Sequence, residues 1–199
     1  MRDNVQRDFD RSAIALRDIV FPALKQSCPA FQGREAVVLL HHRDQLHHDL
    51  DTIAGIDAYL RSPLALSTVA ARVQYGCGHR TFTIRTARPQ HALTELQKRL
   101  SQLADHDKGT LYPYWSVHAY LSADGAKLVR VGLAKTSELY FWIAQQLTNW
   151  SVQYLGQNTL RGLKAPFEIK ESREKEHFLI VPWDTYRASG HYFFEYPSR

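Results

Sequence analysis

The residues best placed to do chemistry lie between Asp49 and Arg99. Asp49, Asp51 and Asp57 precede or open an apolar stretch, and Arg72 and Gln74 follow in the next one. If both stretches are strands, Ala70, Arg72 and Gln74 share one face, and Asp57 faces that row when the strands pair. A carboxylate can hold Mg²⁺ or Mn²⁺, an amide oxygen such as that of Gln74 can complete the shell, and a guanidinium can stabilise charge developing on a phosphate. Asp51 or Asp49 could add a second carboxylate. The plainer alternative is that Asp57 caps a strand while Arg72 and Gln74 line a groove that binds without cutting. An arginine cannot serve as a base at ordinary pH, so the role open to Arg72 is electrostatic.

A second cluster, His41-His-Arg-Asp-Gln-Leu-His-His48, runs directly into Asp49 and Asp51. Imidazole and carboxylate suit a divalent transition metal. The spacing is irregular, however, and adjacent histidines in a strand point to opposite faces. A polar loop is the simpler expectation. Signatures of other chemistries are missing: there is no GxxxxGK[ST], GxGxxG, GxSxG or HExxH. Cys28 and Cys77 lie 49 positions apart, and neither begins a CxxC pair.

Charge is unevenly distributed. Residues 1–57 carry a net −2, residues 58–104 a net +6 with Glu95 as their single acid, and residues 105–199 a net +1. A concentrated basic stretch attracts polyanions, because each phosphate contact releases condensed counterions. Arg72, Arg80, Arg85, Arg88, Lys98 and Arg99 are the expected nucleic-acid contacts. The same charge also fits a solvated face balanced by the acidic N-terminal block.

These residues need elements to hold them. Val5, Phe9, Ala13, Leu16, Val20 and Leu24 recur at steps of three and four, which predicts an amphipathic helix over 4–27, kinked or split at Pro22. Strands are expected at 35–40, 55–60, 67–75 and 81–85, and a helix over 91–104. Trp115 to Leu121 and Ala126 to Leu133 read as a hairpin, and Lys135-Thr-Ser137 caps a helix running to about Trp150. Phe178–Trp183 and His191–Tyr196 read as two strands across an Ala-Ser-Gly turn, and 166–176 as the most mobile stretch. The expected fold is α/β (α+β): a central mixed sheet flanked by helices. Residues 1–105 would form the core, with its N-terminal helix, and residues 106–199 a C-terminal extension of the same domain. The chain of 199 residues is 44% hydrophobic and 12% aromatic, which excludes disorder, collagen and coiled coil. With two cysteines, a charged N-terminus and no long apolar run, a cytoplasmic protein without a membrane span is expected.

Gly55-Ile-Asp57, Ala71-Arg-Val-Gln74, Thr81-Phe-Thr-Ile-Arg85 and the helix-opening Thr94-Glu-Leu-Gln-Lys-Arg99 carry a resemblance. Over about residues 1–100 the chain resembles the PD-(D/E)xK nuclease superfamily, with its restriction-endonuclease-like fold. More narrowly it resembles uncharacterised bacterial and phage proteins with a Gly-Ile-Asp strand followed by an Arg-Val-Gln strand. The resemblance implies a Mg²⁺- or Mn²⁺-dependent endonuclease acting on DNA, in the setting of a defence or mobile-element system, with Asp57 as first metal ligand. The second half of the motif departs from the pattern. Arg72 on the family lysine puts Ala70 on the ligand position; Gln74 on the ligand position puts Gly76 on the lysine and asks Arg72 to reach in from upstream. The second register keeps three polar groups together. The alternative is a non-catalytic nucleic-acid-binding or partner-binding subunit, alone or as a homodimer, whose C-terminal tryptophans and tyrosines serve as core or as a protein-binding surface.

Overall fold

A computed structural model describes residues 10–39, 50, 54–87, 94–156, 167–172 and 175–198. The fold is α+β, with four helices, a six-stranded mixed sheet and a three-stranded sheet among the described residues. The chain divides into two units, each drawing on residues before and after 105. The first comprises 1–79, 111–135 and 193–199; the second comprises 80–110 and 136–192.

The first unit is built on the sheet β1 (Glu35–Val38), β2 (Ala58–Ser62), β3 (Ala65–Tyr75), β5 (Trp115–Leu121), β6 (Leu128–Lys135) and β9 (Phe193–Tyr196), in that spatial order. All neighbours are antiparallel except β3 and β5. Helix α1 spans residues 10–27 and is not split at Pro22. A π-helical turn, Leu16–Val20, directly precedes the proline, with Phe21 N–H donating back to Leu16 O, and this wider turn carries the helix past a residue that has no N–H to give. The helix buries Leu16, Val20, Phe21 and Leu24. Phe31 continues this apolar layer, with ring centroids 6.0 Å from Phe21 and 6.5 Å from Trp115.

The second unit contains the sheet β4 (Thr81–Ala87), β8 (His177–Pro182) and β7 (Glu168–Glu171), in the order β4-β8-β7. It also holds α2 (Glu95–Ala104), α3 (Thr136–Gly156) and the short α4 (Trp183–Arg187). Thr94 caps α2 through a reciprocal box with Gln97, satisfying two otherwise orphaned N–H groups. Phe82, Ile84, Leu179, Val181, Trp183 and Tyr186 are buried. Tyr186 meets Phe82 and Trp142 edge-on, at 5.7 and 5.5 Å between ring centroids.

Four expectations need correction. The segment Phe178–Trp183 and the segment His191–Tyr196 do not pair: β8 belongs to the three-stranded sheet and β9 to the six-stranded one, with α4 between them. Trp183, taken as the end of a strand, instead opens α4 directly behind Pro182. Likewise the strand expected at 55–60 begins only at Ala58, so Asp57 stands just ahead of it. The strand β4 also joins β8 rather than extending the sheet that holds Asp57 and Arg72.

Candidate functional site

Asp57 is positioned from both sides of its peptide. Gly55 adopts a left-handed φ of 62°, which turns the chain into the sheet and which only glycine adopts without steric cost. Ile56 is then buried, in a small cluster with Leu39 and Ala54. Asp57 donates its N–H to Val69 O and accepts from Leu39 N, both at 2.8 Å, bridging β3 and the end of β1. Its carboxylate reaches further along β3 and accepts the Ala71 N–H through Oδ2 at 2.7 Å. The β2–β3 ladder ends at Ala58↔Val69, so this side chain stands where a strand partner would otherwise supply the acceptor.

Next to this fork lies a cavity of about 200 Å³, lined by Asp57, Ala71 and Arg72 from the sheet side and by Asp10, Ser12 and Leu16 of α1. Asp57 and Arg72 are both among its lining residues. Gln74 is not among the lining residues. It lies one pleat further on, level with Tyr120. Asp10 and Ser12 come from a helix that sequence pattern could locate but could not dock, so they were not anticipated. Asp49, Asp51, the His41–His48 cluster and Arg88 lie outside the described residues.

The other expected basic contacts make internal interactions. Arg80 pairs with Asp184 at 2.8 Å, and Arg85 with Glu176 at 3.1 Å. Arg99 is only 5% exposed and donates to Gln102 at 2.9 Å, because α2 turns it inward. Lys98, one position earlier, is half-exposed.

The register also assembles a polar row that was not anticipated. Arg72 stands beside His118, His118 opposite Gly132, and Gly132 opposite Glu195, so these positions share one sheet face. His118 and Glu195 are buried, and Arg130 lies 3.6 Å from the Glu195 carboxylate. The alternation Ser116, His118, Tyr120 in β5 was visible in the sequence, but Glu195 sits 77 positions later and only the β6–β9 pairing brings it alongside. Comparison of the chain with known family models, characterised proteins and solved structures finds no match.

Among the described residues, no group of three or more His, Cys, Asp and Glu side chains is arranged to hold a metal. Asp10, Ser12 and Asp57 are the residues with oxygen-bearing side chains among those that line the cavity. That set fits Mg²⁺ or Mn²⁺, since Mg²⁺ keeps several waters and commonly binds through one or two carboxylates plus substrate phosphate.

Proposed function

We propose that this chain is a divalent-metal-dependent phosphodiesterase acting on DNA, centred on Asp57 and Arg72. The observation that carries this reading is that Asp57, just ahead of β2, and Arg72 of β3 are both lining residues of one cavity, with Asp10 and Ser12. Asp57, with Asp10, would hold Mg²⁺ or Mn²⁺; bound there, the ion supplies Lewis-acid polarisation of a phosphoryl oxygen. A carboxylate has about four acceptor positions, so the bond to Ala71 N is compatible with a second role and fixes the orientation of Asp57. Arg72 would present the planar guanidinium fork that matches phosphate oxygens. The free Cys28 and Cys77 accord with a reducing, cytoplasmic setting. Among the described residues, no helix is long and apolar enough to cross a membrane.

One observation favours a second reading, a non-catalytic nucleic-acid-binding subunit. The Asp57 carboxylate already has a structural task at the strand fork, which would keep it in place without any chemistry. A plasmid-cleavage assay with Mg²⁺, Mn²⁺ or EDTA, run beside a mobility-shift assay, separates the two. Metal-dependent nicking supports the phosphodiesterase. Binding without cleavage under every divalent ion supports the second reading, and neither binding nor cleavage refutes both.

A further inference from the structure

The β2–β3 hairpin ends in an unusual tip. Ser62 pairs with Ala65, leaving Pro63 and Leu64 as a two-residue loop. Leu64 is 98% exposed and Leu66 is 66% exposed, and Pro63 and Ala65 between and before them are exposed as well. Four consecutive apolar residues facing water at a hairpin tip are disfavoured in a soluble fold unless something covers them in use. The tip is narrow: four small or medium side chains fall well short of the roughly 800 Å² per partner of a stable protein interface.

Charge selects the occupant. The hairpin strands β2 and β3 carry Arg61 and Arg72 and no acidic residue. Arg61 flanks the tip on β2, and Arg34 reaches the same hairpin by donating to Ser67 Oγ at 2.9 Å. Glu35 is the acid beside them, paired with Arg61. An apolar point on a basic, acid-poor arm matches the leucine and proline wedges with which proteins unstack base steps in duplex DNA. We infer that the Pro63-Leu64 tip is such a wedge, inserting between base pairs of duplex DNA. The inference rests on the DNA reading of the Asp57 site and adds to it. Strand rise puts the tip about 20 Å from Asp57. A duplex lying along the hairpin would therefore be distorted roughly six base-pair steps of 3.4 Å from a phosphate level with Asp57.

The test uses the full chain in EDTA, so that metal-dependent cleavage is off, and short duplexes carrying 2-aminopurine at successive positions. Wild-type protein at saturation should raise 2-aminopurine fluorescence several-fold at one or two steps. Leu64→Ser should remove most of that rise while leaving the melting temperature and the salt dependence of binding unchanged. Wild-type protein that binds the duplex with no fluorescence change overturns the wedge and leaves the Asp57 reading standing. A full rise with Leu64→Ser also overturns it. If Leu64→Ser instead converts a dimer to a monomer with DNA distortion intact, the tip is a self-association surface and the inference fails. No binding to any duplex removes the wedge and the DNA reading together.

Discussion

Replacing Asp57 by Ala and by Asn separates its two tasks. In the fold, its Oδ2 accepts the Ala71 N–H at 2.7 Å where β3 has run past the end of its ladder with β2. Asp57→Ala leaves that amide without its partner, which costs about 1–3 kcal/mol for a desolvated donor. For a chain of this size each kcal/mol lowers the melting temperature by roughly 2–4 °C, so a fall of about 5 °C is expected. Asp57→Asn keeps an amide oxygen that can accept the same bond, so its loss should be under about 1 kcal/mol, the gap between a charged and a neutral acceptor. Both variants should abolish Mg²⁺-dependent nicking, since an amide is a poor substitute for a metal-binding carboxylate. The assays are urea unfolding followed by circular dichroism, and plasmid nicking across a Mg²⁺ titration. A fully active Asp57→Asn refutes the metal role. An Asp57→Ala as stable as wild type refutes the strand-fork role.

Arg72→Ala should lower turnover by about 10²–10³-fold, the scale for losing one preorganised charge stabiliser, with partial recovery in Arg72→Lys. Gln74→Ala, outside the cavity, should leave the metal concentration needed for cleavage unchanged; a raised requirement would restore it as a ligand. Lys98→Ala should weaken binding to all duplexes alike and reduce the slope of log affinity against log salt by about 0.9, whereas Arg99→Ala should leave the slope unchanged and destabilise the fold by about 1–3 kcal/mol. Burial, with the nearby Glu138 carboxylate second, pushes the Tyr186 phenol above its ordinary value of 10.0. The unfolded chain therefore releases this proton first, and the stability contribution is complete below pH 10 and declines as pH rises above it. Tyr186→Phe should flatten that alkaline decline in melting temperature between pH 9 and 11, and an identical decline in both proteins would refute it.

Local pattern was legible where one face of an element dominated. The strand at Ala65–Tyr75, the hairpin of β5 and β6 and the capped helix after Lys135 were all foreseeable from period and turn residues. The pairing of distant strands was not. His191–Tyr196 has the same apolar alternation whether it joins β8 or β6, and only tertiary packing chooses β6. The site shows the same division. Asp57 and Arg72 lie 15 positions apart, one just ahead of β2 and the other on the neighbouring β3, so that both line one cavity is within reach of local reasoning. Asp10 reaches the cavity from a helix 47 positions upstream, and a hydrophobic stripe says which face of a helix is buried but not what it is buried against. Arg99 was misread for a related reason: in the polar interior side of α2, Gln102 gives the guanidinium an acceptor that a charge count cannot see.

The parallel β3–β5 pair and the late arrival of β9 have a consequence for how the molecule is made. The chain leaves the six-stranded sheet after β3, builds β4 and α2, returns for β5 and β6, leaves again for α3 through α4, and comes back only for β9. Neither unit is thus available as one contiguous piece of polypeptide. A nascent chain emerging from the ribosome can fold α1 and the β1–β2–β3 meander early, yet must hold the β3 edge open until residue 121 has been synthesised and the β6 edge until residue 196. Non-local pairing of this kind slows folding, and open edges recruit other strands meanwhile. Expression of a fragment ending near residue 105 should give aggregates rather than a smaller folded domain, and a chaperone that shields strand edges should raise the yield of the whole chain more than lowering the temperature of synthesis does.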